Sequence, residues 1–471
     1  NDNKTVTFQS GLRGPVVMAE QSMGAKWISD CLEKITILEK NNNKIEKAVI
    51  ENVKQEYIPG MLCQILNSKN FEIKIRGLFF SDKCSTIEYS IRNISDSSKE
   101  IKILFSGELK EKYASIDLID NNMFSVSIYQ NKHNLILSFP ENFKYNKVEK
   151  SLYSIDSPFI KLEKGDTYKL NTYTTYTPGQ TLENALKIHK NGIKLSSKKY
   201  FKDNKKRWDG YINSVLTRMS QKYDSKENRI WMVKSIMTLI TNWRSPAGDI
   251  IHAGVQPAAG HFNGFWAWDS WEHAVALSLF NPELAKDQMR TMFDYQTEEG
   301  MIVDFISFDK KENNIACSKP PIAGWATYMV YQHTKDKVFI KEMLPKLLKY
   351  HEWRYKYRDH DQNGLCEYGG IAPHVYLGQY ESGMDVAVKF DGVKMMKNCD
   401  GAYSFDQESI ELNSYLCAEK FYLAYLLSEI GESEKSEKLK KEGYVLRKKI
   451  QDNFYDNETG YFYDRKIKTH E

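Results

Sequence analysis

Thr86-Ile-Glu-Tyr-Ser-Ile-Arg-Asn93, then Ile94-Ser-Asp-Ser-Ser98, then Glu100-Ile-Lys-Ile-Leu-Phe-Ser106 is the stretch on which the fold of the first part of the chain turns. Apolar and polar residues alternate in both outer runs, which places successive side chains on opposite faces of an extended strand. Asn93 to Ser98 supplies turn residues, so the pair is expected to form a hairpin with a longer loop. Similar runs recur at Phe124-Ser-Val-Ser-Ile-Tyr129, Leu135-Ile-Leu-Ser-Phe139 and Tyr168-Lys-Leu-Asn-Thr-Tyr-Thr-Thr-Tyr176. Many short strands separated by Asn, Asp, Ser and Gly predict an antiparallel β-sandwich over residues 1–180.

Near residue 200 the period changes. Residues 181–204 are Lys-rich and read as a helical linker. Beyond them about eight amphipathic segments follow, near 203–221, 225–244, 268–280, 283–296, 321–334, 336–358, 408–431 and 433–455. Leu412, Tyr415, Leu416, Phe421, Tyr422, Tyr425 and Leu426 show the helical recurrence most clearly. The helical domain is therefore expected over 205–471. Long loops at 245–267, 297–320 and 359–407 interrupt it, and loops of this length are often functional.

The composition bounds the function. With 66 Lys and Arg against 62 Asp and Glu, the net charge is +4 in 471 residues. That balance argues against a nucleic-acid partner, which calls for a basic stripe. No apolar run approaches the roughly 18 residues of a membrane span. The seven cysteines are scattered and form no CxxC pair, so neither a disulfide framework nor a zinc site is expected. Aromatic residues make up 13% of the chain, and eight of the nine tryptophans lie beyond residue 200. Such rings are core material first and platforms for sugar rings second.

Three segments carry chemistry. Gly260-His-Phe-Asn-Gly-Phe-Trp-Ala-Trp-Asp-Ser-Trp-Glu272 sets Trp266, Trp268 and Trp271 around Asp269. A carboxylate among indoles can accept hydrogen bonds from sugar hydroxyls while the rings cover the apolar ring face. The alternative is a buried helix start with Asp269 or Ser270 as N-cap. Tyr380-Glu-Ser-Gly-Met-Asp385 holds two carboxylates four residues apart. One of them, aimed into an apolar cavity, would keep its proton and serve as an acid; the plain reading is a polar loop. Arg358-Asp-His-Asp-Gln-Asn-Gly-Leu-Cys-Glu367 matches the front of a calcium loop: Asp359, Asp361 and Asn363 at alternate positions, Gly364 for the sharp turn, the Leu365 carbonyl, and Glu367 ninth. The twelfth position is Gly370, so a distant carboxylate has to complete the shell, or the loop is an Asx-rich turn without metal.

Trp266-Ala-Trp-Asp-Ser-Trp, Ser318-Lys-Pro-Pro, Asp359-His-Asp-Gln-Asn-Gly-Leu-Cys-Glu-Tyr and Glu381-Ser-Gly-Met-Asp, in this order, resemble glycoside hydrolase family 63, bacterial glucosidase type, with trehalases as clan relatives. The resemblance implies an (α/α)6 toroid behind an N-terminal β-sandwich and hydrolysis of α-glucosidic bonds with inversion. It implies Asp385 as general acid, and Trp268, Asp269 and Glu381 at the glucose subsite. Trp266, Trp271 and Lys319 are counted with these substrate-contacting residues. It further implies Ca2+ at the 359–367 loop, with Glu408 as the distant ligand. The expected partner is an oligosaccharide.

The chain departs from the pattern in two ways. About eight helices are predicted where a toroid has twelve, and no residue matches the family's C-terminal Glu base. The toroid is thus expected to be incomplete and its base to lie beyond the chain end, in a missing part of the same protein. Asn1 in place of Met, together with the substrate class, leads to the expectation of a bacterial periplasmic or secreted protein. Trehalase-like hydrolysis and sugar binding without catalysis are the rival functions.

Overall fold

The structure is a computed structural model that describes residues 16–18, 25–41, 44–110, 112, 114–128, 133–194, 197–258 and 262–469. The chain divides into two compact units, Asn1–Asn213 and Ser214–Glu471.

In the first unit two antiparallel sheets share one core. The larger runs in the order Ala114–Asp120, Met123–Ile128, His133–Ser138, Thr167–Pro178, Cys84–Asn93, Phe71–Phe79, Met61–Ser68, Ile50–Ile58. The smaller runs Lys144–Val148, Leu152–Asp156, Lys99–Glu108, Cys31–Asn41, Lys44–Lys47, with Ile160–Leu162 also paired to Lys99–Glu108. Inward residues of both sheets, among them Ile73, Tyr89 and Phe124 from one and Ile37, Phe105 and Tyr153 from the other, form a single apolar cluster.

The expected hairpin between the strands at 86–93 and 100–106 is not formed. Cys84–Asn93 lies in the larger sheet and Lys99–Glu108 in the smaller, so the chain crosses between layers here. Buried Asn93 makes the corner: its side chain accepts from the Ser95 amide at 3.0 Å and donates to the carbonyls of Ser97 at 2.9 Å and Leu162 at 3.0 Å. Alternation is the same for a hairpin and for a sheet-to-sheet crossing, so the pattern alone does not distinguish them.

The linker expected at 181–204 is two helices, α1 (Leu182–Gly192) and α2 (Ser197–Leu216). Thr181 caps α1. Buried His189 docks it on the larger sheet, with Nδ1 2.9 Å from Thr175 Oγ1 and Nε2 2.8 Å from Ser138 Oγ. α1 is thus an integral part of the β unit, and the division falls within α2.

The second unit contains α3 (Lys226–Thr241), α4 (Ala267–Leu277), α5 (Pro282–Phe293), α6 (Ala323–Thr334), α7 (Lys337–Tyr357), α8 (Val375–Ser382), α9 (Ile410–Glu429) and α10 (Ser433–Phe454). α4–α5, α6–α7 and α9–α10 pack as hairpins, and α6 also packs on both α4 and α9. The result is an arc with α4, α6 and α9 side by side. Each turn has a local cause. Asn281 caps α5 with Pro282 in its first turn. Asp336 caps α7 by accepting from the Val338 and Phe339 amides at 2.9 and 3.1 Å. Gly431, at φ +88°, lies between α9 and α10. The segment expected as one long loop, 359–407, carries α8 and a small hairpin of Met395–Cys399 with Ala402–Phe405. No helix among the described residues is long and apolar enough to cross a membrane.

Phe105 has no exposed surface and packs on Tyr89, Phe139 and Phe143 at ring separations of 5.0, 5.3 and 6.0 Å. Phe105→Ala removes this contact from between the two sheets and is expected to cost about 3–5 kcal/mol in urea unfolding.

Candidate active site

The aromatic segment enters α4 from the two-residue strand Phe265–Trp266, which pairs with Phe305–Ile306. Trp266 is the N-cap position and makes no side-chain cap bond, and Asp269 is the third residue of the helix. Neither Asp269 nor Ser270 is therefore the N-cap. Asp269 is half-buried; burial raises its carboxyl against the pull of His273 and Lys319. Trp268 lines a cavity of about 310 Å³ with Glu272, Ile322, Trp325, Tyr415 and Tyr422. Trp266 packs on Phe305, ring centroids 4.5 Å apart. Trp271 is corrected from substrate contact to core, since it has no exposed surface and stacks on Phe293 at 5.4 Å. Two residues onward from Asp269, the helical turn points a side chain to the opposite face. Gly260 and His261 lie outside the described residues.

Glu381, in the last turn of α8, is completely buried. Arg358 Nε donates to Oε2 at 2.8 Å and its Nη2 to Oε1 at 3.2 Å, with Arg354 Nη1 also 3.2 Å from Oε1. The amides of Gly369 and Ser318 donate at 2.7 and 3.2 Å. Burial raises this carboxyl, but the two guanidiniums and the Gly369 amide outweigh it and hold it below the usual range. Both oxygens are committed, so the expectation of Glu381 as a sugar contact is corrected. It is the anchor of the acid segment.

The segment then turns at Gly383, whose φ is +71°. A Cβ there would stand 2.9 Å from the Trp268 ring, so the glycine lets the indole lie directly on the turn. Asp385 follows and is exposed. The apolar cavity expected around it is absent from this structure; the desolvated acid is Asp304 instead. Burial pushes Asp304 up to about 6, with Lys319 lowering it and Asp385 raising it. Lys319 Nζ lies 3.3 Å from Asp304 Oδ1 and donates to the Tyr380 carbonyl at 2.5 Å. Around this ammonium the structure gathers Asp269, Asp304 and the Tyr380–Asp385 segment.

In the 359–367 loop, ligand oxygens of Asp359, Asp361 and Glu367 lie within 4.8 Å of one another. Gly364 (φ +81°) and Gln362 (φ +57°) make the sharp turn. Asp359 accepts from the Asn363 and Gly364 amides at 3.0 and 2.8 Å. Buried Glu367 accepts from the His360 amide and Ser404 through Oε2, while its Oε1 has no hydrogen-bond partner among the described residues. An all-oxygen set with an orphaned buried acceptor fits a hard cation. Asn363 turns its side-chain amine to Asp361 at 3.0 Å and Glu408 at 2.6 Å, and its Oδ1 accepts from the Leu365 amide at 2.7 Å. Glu408 reaches the loop through Oε1 at Asn363, while Arg465 donates to its Oε2 through Nε at 3.0 Å, with Nη2 2.9 Å from the same oxygen. Leu365 is buried in the apolar cluster under α9 and α10, which fixes the exit of the loop.

Asn314, Arg354 and Arg358 are absent from the sequence-based site. Arg354 and Arg358 sit at helical spacing on and just past α7, an ordinary surface pattern; only their complete burial marks them.

A strand-rich unit precedes paired helices, and a carboxylate-bearing aromatic turn lies against a second acidic turn. Residues 263–471 match the family model for the mannosylglycerate hydrolase MGH1-like glycoside hydrolase domain, and residues 3–138 match that for the N-terminal part of glucosidase YgjK. Mannosylglycerate hydrolase MGH2 of Selaginella moellendorffii is 26% identical over 155 residues, 29% of this chain and 30% of its own length. Mannosylglycerate hydrolase of Thermus thermophilus is 25% identical over 157 residues, 29% of this chain and 36% of its own length. The matched stretch thus spans about a third of these relatives. The solved structure of a "Putative kojibiose phosphorylase from human microbiome" has the same fold at TM-score 0.56 and 15% identity, over 95% of this chain and 64% of that one. The two family-model matches and the mannosylglycerate hydrolase relatives together support a place for the chain in glycoside hydrolase family 63.

Glu381→Leu leaves two buried guanidiniums without a counter-charge and is expected to destabilise the second unit by about 3–5 kcal/mol. Because the Glu381 carboxyl is held below its ordinary 4.5, its contribution is fully present above that pH and is lost as pH falls through the lower folded value. Urea unfolding of the wild type should lose stability over that window, and Glu381→Gln should flatten the slope there.

Proposed function

We propose that the second unit is part of an (α/α)6 toroid that hydrolyses α-glucosidic bonds of an oligosaccharide with inversion, and that Asp385 is the general acid. The observation that carries this is the contact of Trp268 with Gly383, which sets the Trp268–Asp269 turn beside the turn that bears Asp385. In this reading Trp268 covers the apolar face of a glucose ring and Asp269 accepts from its hydroxyls. Asp385 gives its proton to the glycosidic oxygen as the bond breaks. A second carboxylate, outside the residues gathered here, activates water on the opposite ring face. The exposure of Asp385 suits a group that has to reach the leaving oxygen, and a bound sugar supplies the desolvation.

The match to the mannosylglycerate hydrolase family model favours a second reading, an α-mannoside with an acidic aglycone. Against it, the buried cations Lys319, Arg354 and Arg358 already face Asp304 and Glu381, which leaves them poorly placed to receive a carboxylate. Glucosyl and mannosyl disaccharides tested side by side separate the two readings, and proton NMR of the first-formed anomer tests inversion.

Asp385→Asn keeps the shape and removes the proton. In the active enzyme it is expected to lower turnover of an ordinary disaccharide by about 10²–10⁴-fold. A glucosyl fluoride, whose leaving group needs little protonation, should be affected far less. Near-full activity of the variant on the disaccharide would refute the assignment.

The same reading includes one Ca2+ held by Asp359, Asp361 and Glu367, which neutralises buried carboxylates and stiffens the loop that precedes α8. Calcium at a hundred times its Kd should stabilise the folded protein by about 2.7 kcal/mol over protein stripped with a chelator. An unchanged melting temperature on adding calcium would remove the metal from the proposal.

A further inference from the structure

A second cavity, also of about 310 Å³, opens between α7, α9 and α10 beside Gly364 of the 359–367 loop, and it shares no residue with the Trp268 cavity. Three ammoniums line it: Lys420 from α9, and Lys441 and Lys449 from α10. Lys420 is buried and already paired, with Nζ 3.0 Å from Glu442 Oε2 and 4.6 Å from the centre of the Tyr355 ring. Glu442, the one carboxylate in the lining, is spent on that pair. Lys449 donates to the Asn363 carbonyl, a neutral acceptor. The acid nearest to it, Asp359, is turned to the Asn363 and Gly364 amides at 3.0 and 2.8 Å. Lys441 is exposed and forms no ion pair among the described residues. Two of the three ammoniums therefore bring charge that no ion pair offsets.

Tyr355 of α7 supplies the second observation. It lines the same cavity, and its hydroxyl is buried with no hydrogen-bond partner among the described residues. Burial raises this hydroxyl well above the usual tyrosine range, with Cys366, Glu419 and Glu442 adding to the effect, so it keeps its proton and can only donate to an anion. Buried hydroxyls are normally satisfied, and one that is not marks a place where an acceptor is missing. Val445 and Leu446 give the cavity an apolar wall. Lysine ammoniums act on phosphate as point charges without demanding planar geometry. A phosphate monoester, with a second pKa near 6, carries close to two negative charges at neutral pH. It matches two unpaired ammoniums in charge, brings the acceptor oxygens that the tyrosine lacks, and carries an organic body for the apolar wall.

We propose that this cavity binds a small organic phosphate monoester. Its phosphate lies between Lys441 and Lys449 and accepts from Tyr355, and an apolar part of its body rests on Val445 and Leu446. The site stands apart from Asp269, Asp304 and Asp385 and does not depend on the reaction assigned to them.

Calorimetric titration of the full chain in calcium-free buffer, with phenyl phosphate as the probe, tests this. One molecule is expected to bind per chain. Inorganic phosphate, which lacks the body, and benzoate, which carries a single charge, are expected to bind more weakly. Lys441→Met, at an exposed position, should weaken phenyl phosphate about tenfold, and Tyr355→Phe about fivefold. Tyr355→Phe also removes an unsatisfied hydroxyl, so without ligand it should melt no lower than the wild type, while phenyl phosphate should raise its melting temperature less. Absence of binding at millimolar phenyl phosphate overturns the proposal. Binding that both substitutions leave unchanged puts the ligand elsewhere and overturns it as well, and benzoate bound as tightly as phenyl phosphate overturns the choice of a phosphate.

Discussion

The second unit depends on one buried carboxylate. Glu381 meets Arg354 and Arg358 and two backbone amides at a point where α7, α8 and the stretch before α6 converge. Removing a carboxylate and two guanidiniums from water is costly, and only close pairing with further hydrogen bonds offsets it. That requirement is also a geometric one. The ion cluster is tolerable only if all three segments arrive together, so it fixes where the Gly383 turn and Asp385 stand relative to α7.

The rest of the site is built outward from that point. Lys319 lies one residue after Ser318, whose amide binds Glu381. Its carbonyl accepts from Tyr350 at 3.0 Å and from Arg354, so the side chain is delivered to Asp304 and Tyr380 from a rigid base. Trp268 closes the opposite side by lying on Gly383. The 359–367 loop leaves α7 immediately after Arg358, and its exit through Leu365, Cys366 and Tyr368 is buried under α9 and α10. The Glu381–Asp385 segment and the 359–367 loop are therefore both tied to the end of α7, the first through Arg354 and Arg358 and the second by direct continuation of the chain.

This arrangement separates tasks that the motifs merge. The Glu-Ser-Gly-Met-Asp segment presents two acidic residues of opposite character: one fully buried, ionised and structural, the other exposed at the mouth of the site. The aromatic segment divides likewise. Trp268 faces the cavity, Trp266 covers Phe305, and Trp271 belongs to the core between α4 and α5. Similar side chains in one short segment thus perform three different jobs.

By itself the sequence was enough to show a β part followed by a helical part, the position of nearly every helix, and the resemblance to family 63 that the comparisons support. These follow from local regularities, the two periods and the order of motifs, which survive without knowledge of what packs on what. It could not say that the strand ending at Asn93 crosses to the other sheet, because alternation is identical in a hairpin and a crossing. Nor could it reveal that Glu381 is locked between two arginines, or that Glu408 is held by Arg465, since the partners lie up to 63 residues away. Burial and long-range pairing decide which carboxylate is locked between arginines and which stands exposed, and both arise only when distant segments fold onto one point.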